Sequence, residues 1–291
     1  MRETWIIAMC LVVLANYPSF SCAAEFESAT THPQRLEISF ELYNGHLVVV
    51  KGTVGPLNNV KIVVDTGKSP SAIGKELAEQ LGLKGKTESL VFSNGDLRVE
   101  SVILPQLSLG AWQVTSVRVL VQDLGYLRRS VGHSVDAIAG LDVLSTENFL
   151  IDYWRKKIVF GPVKTLRNSV QFTQQKPFLT VRALIDGQEL RLLADSGTYG
   201  LLVYRKRLKT CPAGFSARQD ASLSTAAGSM PTAWFHAFRV SLGNVTLGPK
   251  DIVIADVMPD PRYEFDGLLG FVQLGFQKVS FNFQDGTLAW E

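Results

Sequence analysis

"VVDTGKSPSAI" (63–73) decides how this chain folds. Two apolar residues run into Asp65-Thr66-Gly67, and small and apolar residues follow. Read alone, Asp65 ends a strand, because Asp caps its own backbone and Gly tolerates positive φ. The stretch does not stand alone. "LLADSGTYGLL" (192–202) repeats its order with Asp195-Ser196-Gly197-Thr198, 130 residues further on.

Other landmarks recur with it. "DAIAGLDVL" (136–144) returns as "DGLLGFVQL" (266–274), and "FLIDYW" (149–154) as "VSFNFQ" (279–284), at that same spacing. "LSLGAWQV" (107–114) returns as "VSLGNVTL" (240–247), so only a small insertion separates the copies. The chain is therefore a tandem of two similar β units. Between the landmarks the texture is β, with Asn-Gly turns at 44–45 and 94–95 and a Leu-Gly turn at 109–110. "IGKELAEQLGL" (73–83) is the clearest helical stretch and stops at Gly82. The expected fold class is all-β. Two similar lobes are related by a pseudo-twofold axis, with a short helix after the first Asp-Thr-Gly loop.

Two such units packed about an axis bring their Asp loops together. Like charges at close range cannot both ionise easily, so one proton is shared. One carboxyl is then a base and the other an acid, a pair able to activate water against an amide carbonyl without a metal. Gly67 and Gly197 let each backbone approach the opposite loop. The hydroxyls of Thr66 and Ser196 can brace the loops across the axis. The apolar strands ending in Gly140 and Gly270 can pack beneath them.

These motifs, in duplicate and in order, resemble the pepsin and retropepsin group of aspartic peptidases over roughly residues 40–291. Lobe one is similar to the bacterial retropepsin-like members. The resemblance implies an aspartic endopeptidase with Asp65 and Asp195 as its dyad, supported by Thr66, Gly67, Ser196, Gly197 and Thr198. Retropepsins build the dyad from two subunits; this chain carries both halves, which implies a monomer. The resemblance also places flaps over the cleft. Their tips fall at Ser93, Asn94 and Gly95 in lobe one, and around Gly228 in "STAAGSM" (224–230) in lobe two. It implies a peptide or protein substrate and no cofactor.

Lys68 departs from the family pattern, which has Ser, Thr or Ala where Lys68 follows the first motif. A cation beside the dyad favours both carboxylates being charged and moves the pH optimum down. Alternatively it points to solvent, or the chain binds peptides without cleaving them. A reading from another class is the Asp-x-Gly-Thr phosphate loop of actin-like ATPases, which "DSGT" (195–198) superficially fits. That fold needs alternating helices and a longer chain.

The net charge of +2 over 291 residues gives no reason to expect a nucleic-acid or other polyanion partner. "WIIAMCLVVLA" (5–15) is short for a membrane span and reads as a signal-peptide core, with cleavage expected after Ala24. The domains expected are a signal peptide (1–24), an N-terminal lobe (25–163) and a C-terminal lobe (164–291). Export to the periplasm or exterior is expected, ahead of a lipid or membrane anchor. Only Cys211 remains after that cut, so no internal disulfide can form. His46, His133 and His236 read as ordinary surface or core residues, and Asp136 and Asp266 as turn or structural residues.

Overall fold

The computed structural model describes residues 7–8, 14–15, 35–92, 95–175, 177–209, 216–225, 228–256 and 264–291. Among these residues, three sheets carry the fold. Two of them, nine strands each, repeat one order, and the third, of six strands, joins the repeats.

Each nine-stranded sheet is organised around one apolar strand that leads into an Asp loop. In lobe one this is Leu57–Val64, whose Val60, Ile62, Val63 and Val64 are all buried. A strand apolar on both faces belongs in the middle of a sheet, where neighbours cover it on either side. Leu47–Val54 pairs with it antiparallel (Val48 opposite Val64), and Ala137–Ala139 pairs parallel (Ala139 opposite Val64). Ile62 and Val64 face the main core. Val63 joins a smaller cluster with Tyr43, Leu47, Leu124, Leu127 and Ile138. Burying one such side chain stabilises the fold by roughly 1.5–3 kcal/mol, so the Asp loop is anchored at its entry. Lobe two repeats this with Gln188–Ala194 between Phe178–Ile185 and Gly267–Leu269.

The helix occupies Lys75–Gln80, shorter than the sequence pattern suggests. Ile73 is not its first turn. It lies in the strand Ala72–Gly74, buried, opposite Val121 and Ala137, so sheet pairing overrides helical spacing there. Gly82 closes the helix at φ +62°. Lobe two has only a 3-10 turn, Arg205–Arg207, in that place.

Long hairpins follow. Lys86–Phe92 pairs with Gly95–Leu109, which pairs in turn with Trp112–Gln122. The turn at Gly110, with φ +58°, is the expected Leu-Gly turn. Ser216–Thr225, Gly228–Leu242 and Val245–Ala255 repeat the arrangement. Two short strands, Leu14–Ala15 and Ile7–Ala8, add to the outer edges of Lys86–Phe92 and Ser216–Thr225.

The six-stranded sheet locates the symmetry axis. Phe149–Asp152 runs antiparallel to Lys278–Asn282, with Phe149 opposite Phe281, Leu150 opposite Ser280 and Ile151 opposite Val279. Leu150 thus faces its own repeat counterpart, and the flanking pairs exchange places under the repeat. A twofold axis must pass between Leu150 and Ser280. Aromatic packing closes this region, with Phe149 stacked on Phe281 at 4.7 Å and Trp112 on Phe160 at 4.4 Å.

Candidate active site

The Asp loops meet on the same axis. Each Asp is held at its base by the strand ending in glycine beside it. The Asp65 N–H donates to the Ala139 carbonyl and the Asp195 N–H to the Leu269 carbonyl, both at 3.0 Å. Within each loop the backbone turns to serve its own carboxylate: Gly67 N–H donates to Asp65 Oδ1 at 2.9 Å, and Gly197 N–H to Asp195 Oδ1 at 2.7 Å.

Four hydrogen bonds cross between the loops. Thr66 N–H donates to Ser196 Oγ and Ser196 N–H to Thr66 Oγ1, each at 3.0 Å. The hydroxyls then donate onward, Thr66 Oγ1 to the Ala194 carbonyl at 2.9 Å and Ser196 Oγ to the Val64 carbonyl at 3.0 Å. Both hydroxyls are buried and each both accepts and donates, so the lattice is rigid.

The glycines make the approach possible. A Cβ on Gly67 would overlap the Asp195 carboxyl, and one on Gly197 would lie 2.9 Å from the Asp65 carboxyl carbon and both its oxygens. Gly140 has the same role one layer below, where a Cβ would come within 2.5 Å of the Lys68 carbonyl. Leu141 N–H can therefore donate to that carbonyl at 2.7 Å.

The result is two carboxyls in mutual hydrogen-bond contact, both fully buried. Burial, then the charge of Asp65, push Asp195 well above the usual carboxylate range. The Thr198 hydroxyl, donating to Asp195 Oδ2 at 2.7 Å, and the Gly197 N–H pull the other way. Such a pair holds one proton between two oxygens, the state in which one carboxyl acts as acid and the other as base.

A family model described as aspartyl protease matches residues 48–143 and 181–272, one match per lobe and well over half of the chain. The chain belongs to the aspartyl protease family. Membership supports a peptidase-like role, on a fold of two similar β lobes. Among curated proteins none matches the chain. Among solved structures, a retropepsin-like aspartic protease from Rickettsia conorii is 19% identical, with TM-score 0.33, covering 45% of this chain and 93% of its own.

The other residues singled out in the sequence fall as follows in this member of the family. Asp136 and Asp266 are matched structural braces. Asp136 Oδ2 accepts from Lys61 N–H and Asp266 Oδ2 from Arg191 N–H, both at 2.8 Å. Ser93 and Asn94 lie outside the described residues; Gly95 and Gly228 open the second strand of their hairpins. Cys211 also lies outside them. His46 is buried, with Nδ1 at 3.0 Å from the Asn44 carbonyl, so Nδ1 carries the proton. Its ring meets Tyr199, next to Thr198, edge-on at 5.7 Å. Burial holds its pKa below the ordinary value.

Lys68 does not point to solvent; it is 1% exposed. Its Nζ donates to Gln122 Oε1 at 3.2 Å. Two residues of this environment were not singled out in the sequence. Asp142 Oδ1 accepts from Ser71 N–H at 2.9 Å and from the Ser71 hydroxyl at 2.8 Å, tying the loop after Lys68 to the strand below. Burial raises its pKa, opposed by the Ser71 bonds and by the Lys68 charge. The other is Gln122. Aligning the repeats finds both, since Val272 and Ala255 occupy the corresponding positions of lobe two.

Proposed function

We propose that the chain is an aspartic endopeptidase in which a water held between Asp65 and Asp195 attacks a peptide carbonyl. One observation carries this reading: two buried carboxyls in hydrogen-bond contact on the axis between two lobes. One carboxylate removes a proton from the water as the other protonates the carbonyl oxygen. The proton then moves to the departing amine. Thr66 and Ser196 fix the geometry, and Thr198 steadies Asp195. The hairpins around Gly95 and Gly228 close over the substrate as flaps, excluding water. The lobes, divided after Val163, work together as a monomer.

The test is cleavage of a mixed peptide library by the mature chain. Asp65→Asn and Asp195→Asn should each lower the rate by about 10³-fold or more. Cleavage surviving both substitutions removes the dyad assignment. A second reading, favoured by the buried Lys68, is a peptide-binding module without turnover. It is supported if peptides bind the native chain but none is cut between pH 3 and 8.

We also infer export, with residues 1–24 removed. N-terminal sequencing of the protein recovered from its host should begin at Glu25.

A further inference from the structure

The two lobes differ beside the Asp loops in a coordinated way. Thr198, three residues past Asp195, turns its hydroxyl onto Asp195 Oδ2. Lys68, three residues past Asp65, instead carries its charge along a four-carbon stem to Gln122. Gln122 sits opposite Gly74 in its sheet, as Ala255 sits opposite Tyr204 in the other. An alanine methyl has nothing to offer a cation. Lysine and glutamine therefore stand together in lobe one, and threonine and alanine together in lobe two.

The pairing fixes the glutamine amide. An ammonium only donates, so Oε1 must face Lys68 and Nε2 must face away. That Nε2 is buried and, among the described residues, meets no acceptor. Gln122 itself is 4% exposed, so the orphan donor is not turned to bulk water. Buried amide groups are ordinarily satisfied, and one that is not calls for an acceptor. Asp142, the carboxyl whose field Lys68 shares, is committed through Oδ1 to Ser71.

Placement gives the acceptor its identity. Val121, next to Gln122, pairs with Glu100 in the strand Gly95–Leu109, the second strand of the flap hairpin. Lys68 and Gln122 thus lie between the Asp65 loop and the root of that hairpin, where a peptide crossing the dyad lies against lobe one. A charged N–H donor beside a neutral one suits the two oxygens of a carboxylate. We propose that Lys68 and Gln122 form an acid-selective subsite that takes a substrate Glu or Asp side chain flanking the cleaved bond on the lobe-one side. The inference rests on the peptidase reading and adds a substrate class to it. Burial shields the pairing from water and makes it discriminating.

The test uses the mature full chain and matched peptides differing only by Glu or Gln at the flanking position found by library profiling. Native protein should prefer Glu by at least about tenfold in kcat/KM. Lys68→Met should bring the Glu/Gln ratio toward one, and Gln122→Ala should lower it in a protein that keeps the lysine. An unbiased library profile overturns the proposal. So does a ratio that survives both substitutions, or Lys68→Met moving the pH profile while leaving the ratio alone. If no peptide is cut, the peptidase reading fails separately. Calorimetric binding then decides the subsite: tighter binding of the Glu peptide to native protein than to Lys68→Met supports it, and equal binding overturns it.

Discussion

Thr66 and Ser196 hydrogen-bond each other reciprocally across the lobe axis, each backbone N–H donating to the other's hydroxyl at 3.0 Å. Each hydroxyl passes a hydrogen bond on to a carbonyl of the opposite lobe. Removing one hydroxyl strands two buried backbone groups.

Thr66→Ala and Ser196→Ala should each destabilise the fold by about 1–3 kcal/mol, read as a lower midpoint in urea. The double variant should lose less than the sum, because one lattice is broken once. Thr66→Ser should restore most of the stability. Strict additivity would mean that the bonds act independently.

Gly67→Ala should cost more than Gly197→Ala. A methyl on Gly67 overlaps the opposing carboxyl, whereas one on Gly197 stops 2.9 Å from its nearest neighbours. Peptide cleavage and melting temperature should both fall in that rank order. A Gly67→Ala protein with native activity would show that the loops have room to part.

The dyad proton has a thermodynamic signature. Asp195 is raised above its unfolded value of 3.8 by burial and the Asp65 charge. The folded state therefore binds more protons than the unfolded chain above that value, and stability falls as pH rises through the folded pKa. Asp195→Asn, which carries no charge to bury, should melt at a higher temperature than native protein at pH 7. The gap should shrink below about pH 4, where both states of the native carboxyl are protonated. A lower melting temperature for the variant at pH 7 would contradict this.

Thr198→Val removes a hydroxyl that favours the charged form of Asp195. Asp195 carries the higher of the dyad's two pKa values, so the alkaline limb of the cleavage pH profile should move upward. An unchanged limb would leave Thr198 a merely structural role.

Asp136→Ala removes the acceptor from Lys61 N–H far down the lobe-one sheet. A loss of about 1–3 kcal/mol in stability is expected, with the rate per folded molecule kept. Asp266→Ala should behave alike, since Arg191 N–H is held in the same way.

The duplicated loops were readable because their determinants are local. Asp-Thr-Gly, the apolar run before it and the apolar pair before Gly140 sit in short words that recur at one spacing. Even the roles of Thr66 and Ser196 follow from the loops meeting. What stayed hidden depends on register. Lys68 meets Gln122 across 54 residues because Trp112–Gln122 ends level with Gly74, and no short word encodes that. The reach of His46 to Tyr199 likewise depends on how the lobes dock. Ile73 has the spacing of a helix residue yet lies in a strand, because Trp112–Gln122 and Ala137–Ala139 both pair with it.

The axis between Leu150 and Ser280 has one more implication. Identical halves about such an axis would give a groove that reads the same from either end, so a bound peptide could enter in two opposite senses. Covalent fusion lets the halves drift apart. With Lys68 and Gln122 in one lobe, and Thr198 and Ala255 in the other, the proposed groove would have a head and a tail.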